Sequence, residues 1–265
     1  ATVWSRNGEL IATLDQFKGA LFALKWSPSG KYIAGAGLEL CALVWEVASP
    51  AKPFRLYQNH TSPTMDLDWK NDHIFATCTT EKSIYIYDIE DEDAIRVLHG
   101  HDDEINSVKW SPDGSLLASC SDDGTARIWD ISTESLKWIL KGHTKEIYCL
   151  KWSPSIPERP DILATASFDH TIRLWDPSTG QCLHTLQRHT DSVYAIGFSP
   201  DGRFIASGSL DETLNVWSVD DGSLVRTYDS GRGGIFELAW SPSGDRLATC
   251  TSDSTVCVFD FIIKK

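Results

Sequence analysis

The chain has 265 residues, 42% apolar and 23% charged, with a formal net charge of −13 at pH 7. That balance suits a globular protein with a large core and excludes disorder. The acidic surplus argues against a nucleic-acid backbone as ligand and for basic partners. No apolar run is long enough to span a membrane, and residues 1–10, with Arg6 and Glu9, lack the layout of a signal peptide; the chain is expected to be soluble and intracellular.

The N-terminus opens on two short strand-like runs, TVWS and GELIATL, which read as half of a repeating unit. From residue 17 onward one aromatic recurs at Trp26, Trp69, Trp110, Trp152, Phe198 and Trp240, at intervals of 43, 41, 42, 46 and 42 residues. A second follows each, at Trp45, Tyr87, Trp129, Trp175, Trp217 and Phe259. Eleven tryptophans against one methionine reflect this repeated position. Between the aromatics lie β-rich runs such as INSVKW, LLASC and TARIWDI, separated by SPDG and SDDG turns and without helical periodicity. Gly114 and Gly202 stand where a turn needs positive φ, and Pro112 and Pro200 pre-set it. Segments such as Ser135–Leu140 and Gln181–Leu186 supply a fourth strand.

Four strands per repeat of about 42 residues predict an all-β propeller of four-stranded antiparallel blades. Residues 1–16 would give the last two strands of a partial repeat, and residues 17–265 six full repeats of one domain. The seven cysteines are odd in number and without CxxC spacing; most fall in strand-like runs, so buried free thiols are expected.

Residues 99–131, HGHDDEINSVKWSPDGSLLASCSDDGTARIWDI, and 187–219, QRHTDSVYAIGFSPDGRFIASGSLDETLNVWSV, resemble WD40 repeats, with GH near the start and WD at the end. In three repeats the same polar set recurs: His101, Ser119, Asp123 and Trp129; His143, Thr165, Asp169 and Trp175; His189, Ser207, Asp211 and Trp217. A nucleophilic triad is built once, at a cleft, and has no reason to recur every 42 residues. The resemblance implies instead a structural chain from indole through hydroxyl and imidazole to carboxylate. One histidine per blade cannot converge on one metal ion. No catalytic, cofactor-binding or metal-ligating residues are expected, and the chain reads as no enzyme. The first repeat has Gly35 and Glu39 in place of hydroxyl and aspartate and no histidine, so its network is expected to be absent. The second keeps His60 and Thr77 but has Glu81 and Tyr87, and the sixth has Thr249 and Asp253 but Phe259; these three repeats are expected to be less well tied.

Five stretches are similar to a narrower group, the transducin β-like subunits of corepressor and histone deacetylase complexes: LFALKWSPSG, LLASCSDDGTARIWD, KEIYCLKWSP, ATASFDHTIRLWD and GGIFELAWSPSGD. The insertion SIPERPD (155–161) lengthens the same loop as in that family. The resemblance implies eight repeats behind an N-terminal oligomerisation module, so a chain that starts at Ala1 with Met65 as its only methionine is expected to be a fragment without that module. The ring is then either an open arc or closed by pairing of Glu9–Leu14 with the last blade.

Propellers dock partners on the face that carries the tetrad loops. Four residues before each first aromatic stand Phe22, Met65, Asn106, Tyr148, Tyr194 and Phe236. Just before the turn aspartate or its equivalent stand Leu38, Thr80, Asp122, Phe168, Leu210 and Ser252. With Glu104 and Glu146 close by, a peptide is expected to meet Phe22, Glu104, Asp122, Glu146, Tyr148, Phe168, Tyr194, Leu210 and Phe236. The alternative is that these aromatics only fill the packing between blades. The resemblance implies a nuclear, non-catalytic scaffold with corepressor subunits, a class I histone deacetylase and basic histone tails as partners, and neither nucleic acid nor membrane. A substrate-receptor or scaffold role in ubiquitin ligation is the competing reading.

Overall fold

The computed structural model describes residues 1–50 and 52–262. Their contacts separate two compact units, Ala1–Trp110 and Ser111–Lys265.

The first unit runs through β1 (Thr2–Trp4), β2 (Leu10–Thr13), β3 (Leu21–Trp26), β4 (Tyr32–Gly37), β5 (Ala42–Glu46) and β6 (Arg55–Tyr57). It continues with β7 (Thr64–Trp69), β8 (Ile74–Thr79), β9 (Ser83–Asp88), β10 (Ala94–His99) and β11 (Ile105–Trp110). Strands β3 to β6 and β7 to β10 form two four-stranded antiparallel sheets in chain order. These are sheets of the propeller-blade type that the repeat predicts. β1 and β2 make a hairpin of their own, with Val3 and Leu14 buried against Ile33, Leu43 and Trp45. The segment Glu9–Leu14 thus has β1 as its partner, and the ammonium of Ala1 donates to Leu14 O at 2.8 Å.

The second unit begins with β12 (Leu116–Ser121), β13 (Thr125–Asp130) and β14 (Ser135–Lys141), paired in that order. Two full sheets follow: β15 (Ile147–Trp152), β16 (Leu163–Ser167), β17 (Thr171–Trp175) and β18 (Cys182–Gln187), then β19 (Val193–Phe198), β20 (Phe204–Ser209), β21 (Thr213–Ser218) and β22 (Leu224–Asp229). The last sheet has three strands, β23 (Ile235–Trp240), β24 (Arg246–Thr251) and β25 (Val256–Asp260).

Burial follows the small side chains. The second strands read YIAGAG, LATAS and FIASGS, and almost every residue in them is buried, because sheets stack on both of their faces. Only Gly, Ala, Ser and Thr let two sheets approach so closely. A methyl added at Gly208 would come within 2.4 Å of Ile235 Cγ2 on the neighbouring sheet. The fourth strand β22 is exposed along nearly its whole length. The recurring first aromatic ties one sheet to the previous one: Trp69 Nε1 donates to Lys25 O at 3.1 Å and Trp240 Nε1 to Gly197 O at 2.9 Å. In the first unit β7 is also fastened to β11 by a buried ion pair, Lys109 on Asp66, whose Oδ2 accepts from Ser107 Oγ at 2.7 Å.

The SPDG turns close as their chemistry dictates. Ser111 Oγ donates to Asp113 Oδ1 at 2.6 Å and accepts from Leu116 N at 2.9 Å, while Gly114 takes φ 70°. Ser199, Asp201 and Gly202 repeat this arrangement. In the turn between second and third strands, a left-handed residue follows the aspartate position in five of the six repeats: Lys82, Gly124, His170, Glu212 and Ser254.

One irregularity recurs in register. The pairing of first and second strands skips a single residue between Leu21 and Ala23, Thr64 and Asp66, Ile147 and Cys149, Val193 and Ala195, and Ile235 and Glu237. The skipped residues are Phe22, Met65, Tyr148, Tyr194 and Phe236. A bulge takes one residue out of the pleat and re-aims its side chain. All seven cysteines are free, but only Cys78 and Cys120 are buried, while Cys182 and Cys250 are exposed. The expectation of burial fails for those two because β18 and β24 lack a covering sheet at their positions.

Candidate functional site

Two complete tetrads stand in the second unit. His143 Nε2 lies 2.8 Å from Thr165 Oγ1, which accepts from Trp175 Nε1 at 2.9 Å; His143 Nδ1 lies 2.8 Å from Asp169 Oδ2. His189 repeats this with Ser207 at 2.8 Å and Asp211 at 2.9 Å, and Trp217 Nε1 donates to Ser207 at 2.9 Å. Each aspartate also accepts from backbone and hydroxyl donors: Asp169 from Thr144 N and Thr171 Oγ1, Asp211 from Thr190 N and Thr213 Oγ1. Burial alone would raise these carboxyls. The hydrogen bonds from histidine and threonine outweigh it and hold both well below the usual carboxylate range. Every polar group is satisfied, and the hydroxyl that would have to be a nucleophile is buried and already accepts an indole N–H. Of the third tetrad, Trp129 Nε1 donates to Ser119 Oγ at 2.9 Å and Asp123 Oδ1 accepts from Thr125 N at 2.8 Å. His101 is buried in the first unit.

The remaining repeats refine the sequence reading. In the first the continuous chain is missing, as expected, but two separate links stand in its place: Trp45 Nε1 donates to Gln16 Oε1 at 2.8 Å, and Glu39 Oε1 accepts from Lys18 N at 2.6 Å and Gly19 N at 3.0 Å. Gln16 thus stands where the complete repeats have histidine and meets the indole directly, Gly35 leaving no hydroxyl between them, and Glu39 takes the place of aspartate. In the second, His60 Nε2 lies 2.9 Å from Thr77 Oγ1 and 3.0 Å from the Tyr87 hydroxyl, while Tyr85 donates to Glu81 Oε1 at 2.5 Å. No carboxylate touches His60 in this set, and burial pushes its pKa down to about 4. The sixth repeat is loose, since Phe259 offers no donor and Thr249 Oγ1 is buried without a partner among the described residues.

The bulged residues of the second unit meet. Tyr148 stacks on Phe168 at a ring-centroid distance of 5.7 Å and touches Tyr194 at 4.9 Å; Phe168 and Tyr194 are 5.0 Å apart, and Phe236 closes edge-on against Tyr194 at 5.3 Å. Rings from three sheets therefore form one continuous surface, with each pair contributing about 0.5–1.5 kcal/mol. They pack between sheets and still show their outer faces, for Tyr148 is 39% exposed and Phe236 46%. Leu210 lies beside them against Gly234. Glu146, whose carbonyl accepts from Phe168 N at 3.0 Å, is half-buried at this edge, and Glu237 next to Phe236 is exposed. Asp122 is half-buried in the same unit, whereas Phe22 and Glu104, both exposed, belong to the first unit. Centroid spacings near 5 Å leave no slot between the rings.

The sequence reading missed Gln16, the Tyr87 hydroxyl, Glu237 and the flanking hydroxyls. Ser167 Oγ accepts from Asp169 N and Thr171 donates to Asp169, and Ser209, Asp211 and Thr213 do the same. The signal was the S-x-D-x-T spacing, which recurs with the period. Among the described residues no group of three or more His, Cys, Asp or Glu could hold a metal ion, and no helix is long and apolar enough to cross a membrane.

Repeating blades tied by indole–hydroxyl–imidazole–carboxylate chains define a WD40-repeat scaffold, a class that is generally non-catalytic. A family described as "WDR90, 4th beta-propeller" matches residues 104–237, about half of the chain, and "WD domain, G-beta repeat" matches residues 222–260. The chain belongs to this WD40-repeat propeller family. It is similar to the F-box-like/WD repeat-containing protein TBL1Y of Homo sapiens, 43% identical over 116 residues, which cover 44% of this chain and 22% of that protein. TBL1X of Mus musculus is 42% identical over 117 residues, covering 44% and 22%. The WD40 repeat-containing protein HOS15 of Arabidopsis thaliana is 44% identical over 117 residues, covering 44% and 19%. The matched segment spans about a fifth of the length of these relatives.

Proposed function

We propose that the chain is a non-catalytic scaffold of a nuclear corepressor complex and that the aromatic cluster docks a basic peptide, a histone tail or a corepressor segment. On this reading residues 1–16 are a partial repeat and residues 17–265 six repeats of one domain. The observation that carries it is the half-exposed surface of Tyr148, Phe168, Tyr194 and Phe236, with Glu146 and Glu237 at its edge. Exposed aromatics on a rigid frame give hot-spot anchors, and carboxylates steer lysine and arginine. A net charge of −13 adds to that attraction. The class I deacetylase and corepressor subunits rest on the resemblance to the transducin β-like subunits rather than on this surface.

Tyr194→Ala and Phe236→Ala should each weaken binding of histone-tail peptides by roughly tenfold or more while the fold persists. Unchanged affinity would refute the reading. A second reading, a receptor or scaffold in ubiquitin ligation, draws on names: TBL1Y is F-box-like, and an anaphase-promoting complex subunit cdc20 of Dictyostelium discoideum is 28% identical over 120 residues. Affinity capture from nuclear extract separates the two. Deacetylase and corepressor peptides support the first, ligase subunits the second.

A further inference from the structure

The insertion SIPERPD leaves β15 at the end opposite Tyr148, far from the aromatic cluster along the strand. It is nonetheless an ordered loop. Ser153 N donates to Ile162 O at 2.8 Å, Ser153 Oγ accepts from Ile162 N at 2.9 Å, and Arg159 N donates to Ile156 O at 3.1 Å. Pro154, Pro157 and Pro160 restrict its backbone further. Pro154 and Ile156 lean on the turn at Gly202 of the next sheet.

The loop walls a cleft of about 280 Å³. Pro154, Ile156, Ile162, Leu183 and Val219 make its apolar surface. Leu183 is there through a bulge, because the β17–β18 register passes from Leu174↔His184 to Trp175↔Cys182 and skips it, leaving it 45% exposed. Two polar groups converge on this apolar space. Arg159 donates from Nη1 to Gly202 O at 3.4 Å and from Nη2 to Asp220 Oδ2 at 3.3 Å, both long for charge-assisted bonds. The Asp220 side chain is 68% exposed, so this ion pair is weak. The His184 ring, packed on Gly222, has no hydrogen-bond partner among the described residues.

We propose that this cleft binds an apolar carboxylate, with a benzyl-sized hydrocarbon against Ile156, Ile162 and Leu183 and the carboxylate on the Arg159 guanidinium in place of Asp220. A mostly apolar cleft with a few convergent polar groups is the usual form of a small-ligand site, and the guanidinium fork matches a carboxylate bidentately. The ligand is either a free acid or the C-terminus of a peptide that ends in an apolar residue.

The test titrates the whole chain by calorimetry with 3-phenylpropanoate, with acetyl-Ala-Ala-Phe and with the amide of that peptide. Both carboxylates should bind and the amide should bind roughly tenfold more weakly or worse. Tighter binding of the peptide acid than of 3-phenylpropanoate assigns the site to a peptide C-terminus, and equal binding assigns it to a free acid. Arg159→Gln should cost roughly tenfold for the acids and leave the amide unchanged, while Arg159→Lys should keep part of the preference. Leu183→Asp, at an exposed position, should abolish binding of all three. No saturable binding of any probe at millimolar concentration, equal affinity for acid and amide, or an Arg159→Gln variant that binds as before would each overturn the proposal. Because the cleft lies at the other end of the strands, the Tyr194→Ala and Phe236→Ala variants should bind these probes normally.

Discussion

Lowering the pH from 7 to 4.5 should destabilise the fold chiefly through His60. The residue is 4% exposed, its ring is bonded only to hydroxyls, and burial pushes its pKa down to about 4 from an ordinary value of 6.5. Between those two values the unfolded chain carries a proton that the folded chain refuses. The contribution is therefore intact above pH 6.5 and falls by about 1.4 kcal/mol per unit as the pH drops toward 4. At pH 4.5, two units into that window, the loss is about 3 kcal/mol, a large part of the stability of an average domain. Asp169 and Asp211 act elsewhere. Their folded pKa values are depressed, so their contribution is present above the ordinary carboxylate value of 3.8 and is lost only below it. Urea unfolding followed by tryptophan fluorescence at pH 7, 5.5 and 4.5, on the wild type and on His60→Gln, isolates the effect. Glutamine keeps a hydrogen-bonding group toward Thr77 and Tyr87 but does not titrate. The stability difference between the two proteins should shift by about 3 kcal/mol toward the variant across this range. Parallel pH curves would show that burial of His60 does not set its protonation.

Two further substitutions test the repeat chemistry. Trp175→Phe removes the indole donor to Thr165 and leaves its hydroxyl with His143 Nε2 alone of the tetrad, so it should cost about 0.5–1.5 kcal/mol for the lost hydrogen bond in urea unfolding at pH 7; a loss below measurement error contradicts this. Glu212 holds φ 68° where the corresponding turn has Gly124 at φ 73°, so Glu212→Gly should stabilise by up to about 1 kcal/mol and raise the melting temperature. A lower melting temperature would mean that the glutamate makes an interaction worth more than the strain.

The blades were legible because their period is written in large side chains that cannot be placed casually: a tryptophan every 42 residues or so has to meet the same environment each time. The two tetrads around His143 and His189 were legible for the same reason. Gln16 was not: it stands 29 residues before Trp45, much as His101 and His189 stand 28 before Trp129 and Trp217, but an amide does not read as an imidazole and is recognisable only once it is seen to touch the indole. Tyr87 was read as a departure from tryptophan, yet its hydroxyl reaches the same histidine that an indole would address through a serine or threonine. The insertion at 155–161 was visible as extra length, but a cleft depends on what the loop leans against, here Gly202 and Val219 of another sheet. Register shifts leave no mark in the sequence at all, so the common origin of Phe22, Met65, Tyr148, Tyr194 and Phe236 as bulged residues appears only in the pairing.

That pairing separates two demands that most positions in a sheet must meet together. A residue within the pleat is constrained by the sheet stacked on it, whereas a bulged residue contributes its backbone to the strand and keeps part of its side chain outside that fit, as the exposed faces of Phe22, Tyr148 and Phe236 show. Phenylalanine, methionine and tyrosine all occur at this place in the chain with the same skip in register. The bulge therefore acts as a socket into which different contact residues can be fitted. The protein could acquire a new partner by exchanging single residues there, at little cost to folding, while the buried second strands stay as they are.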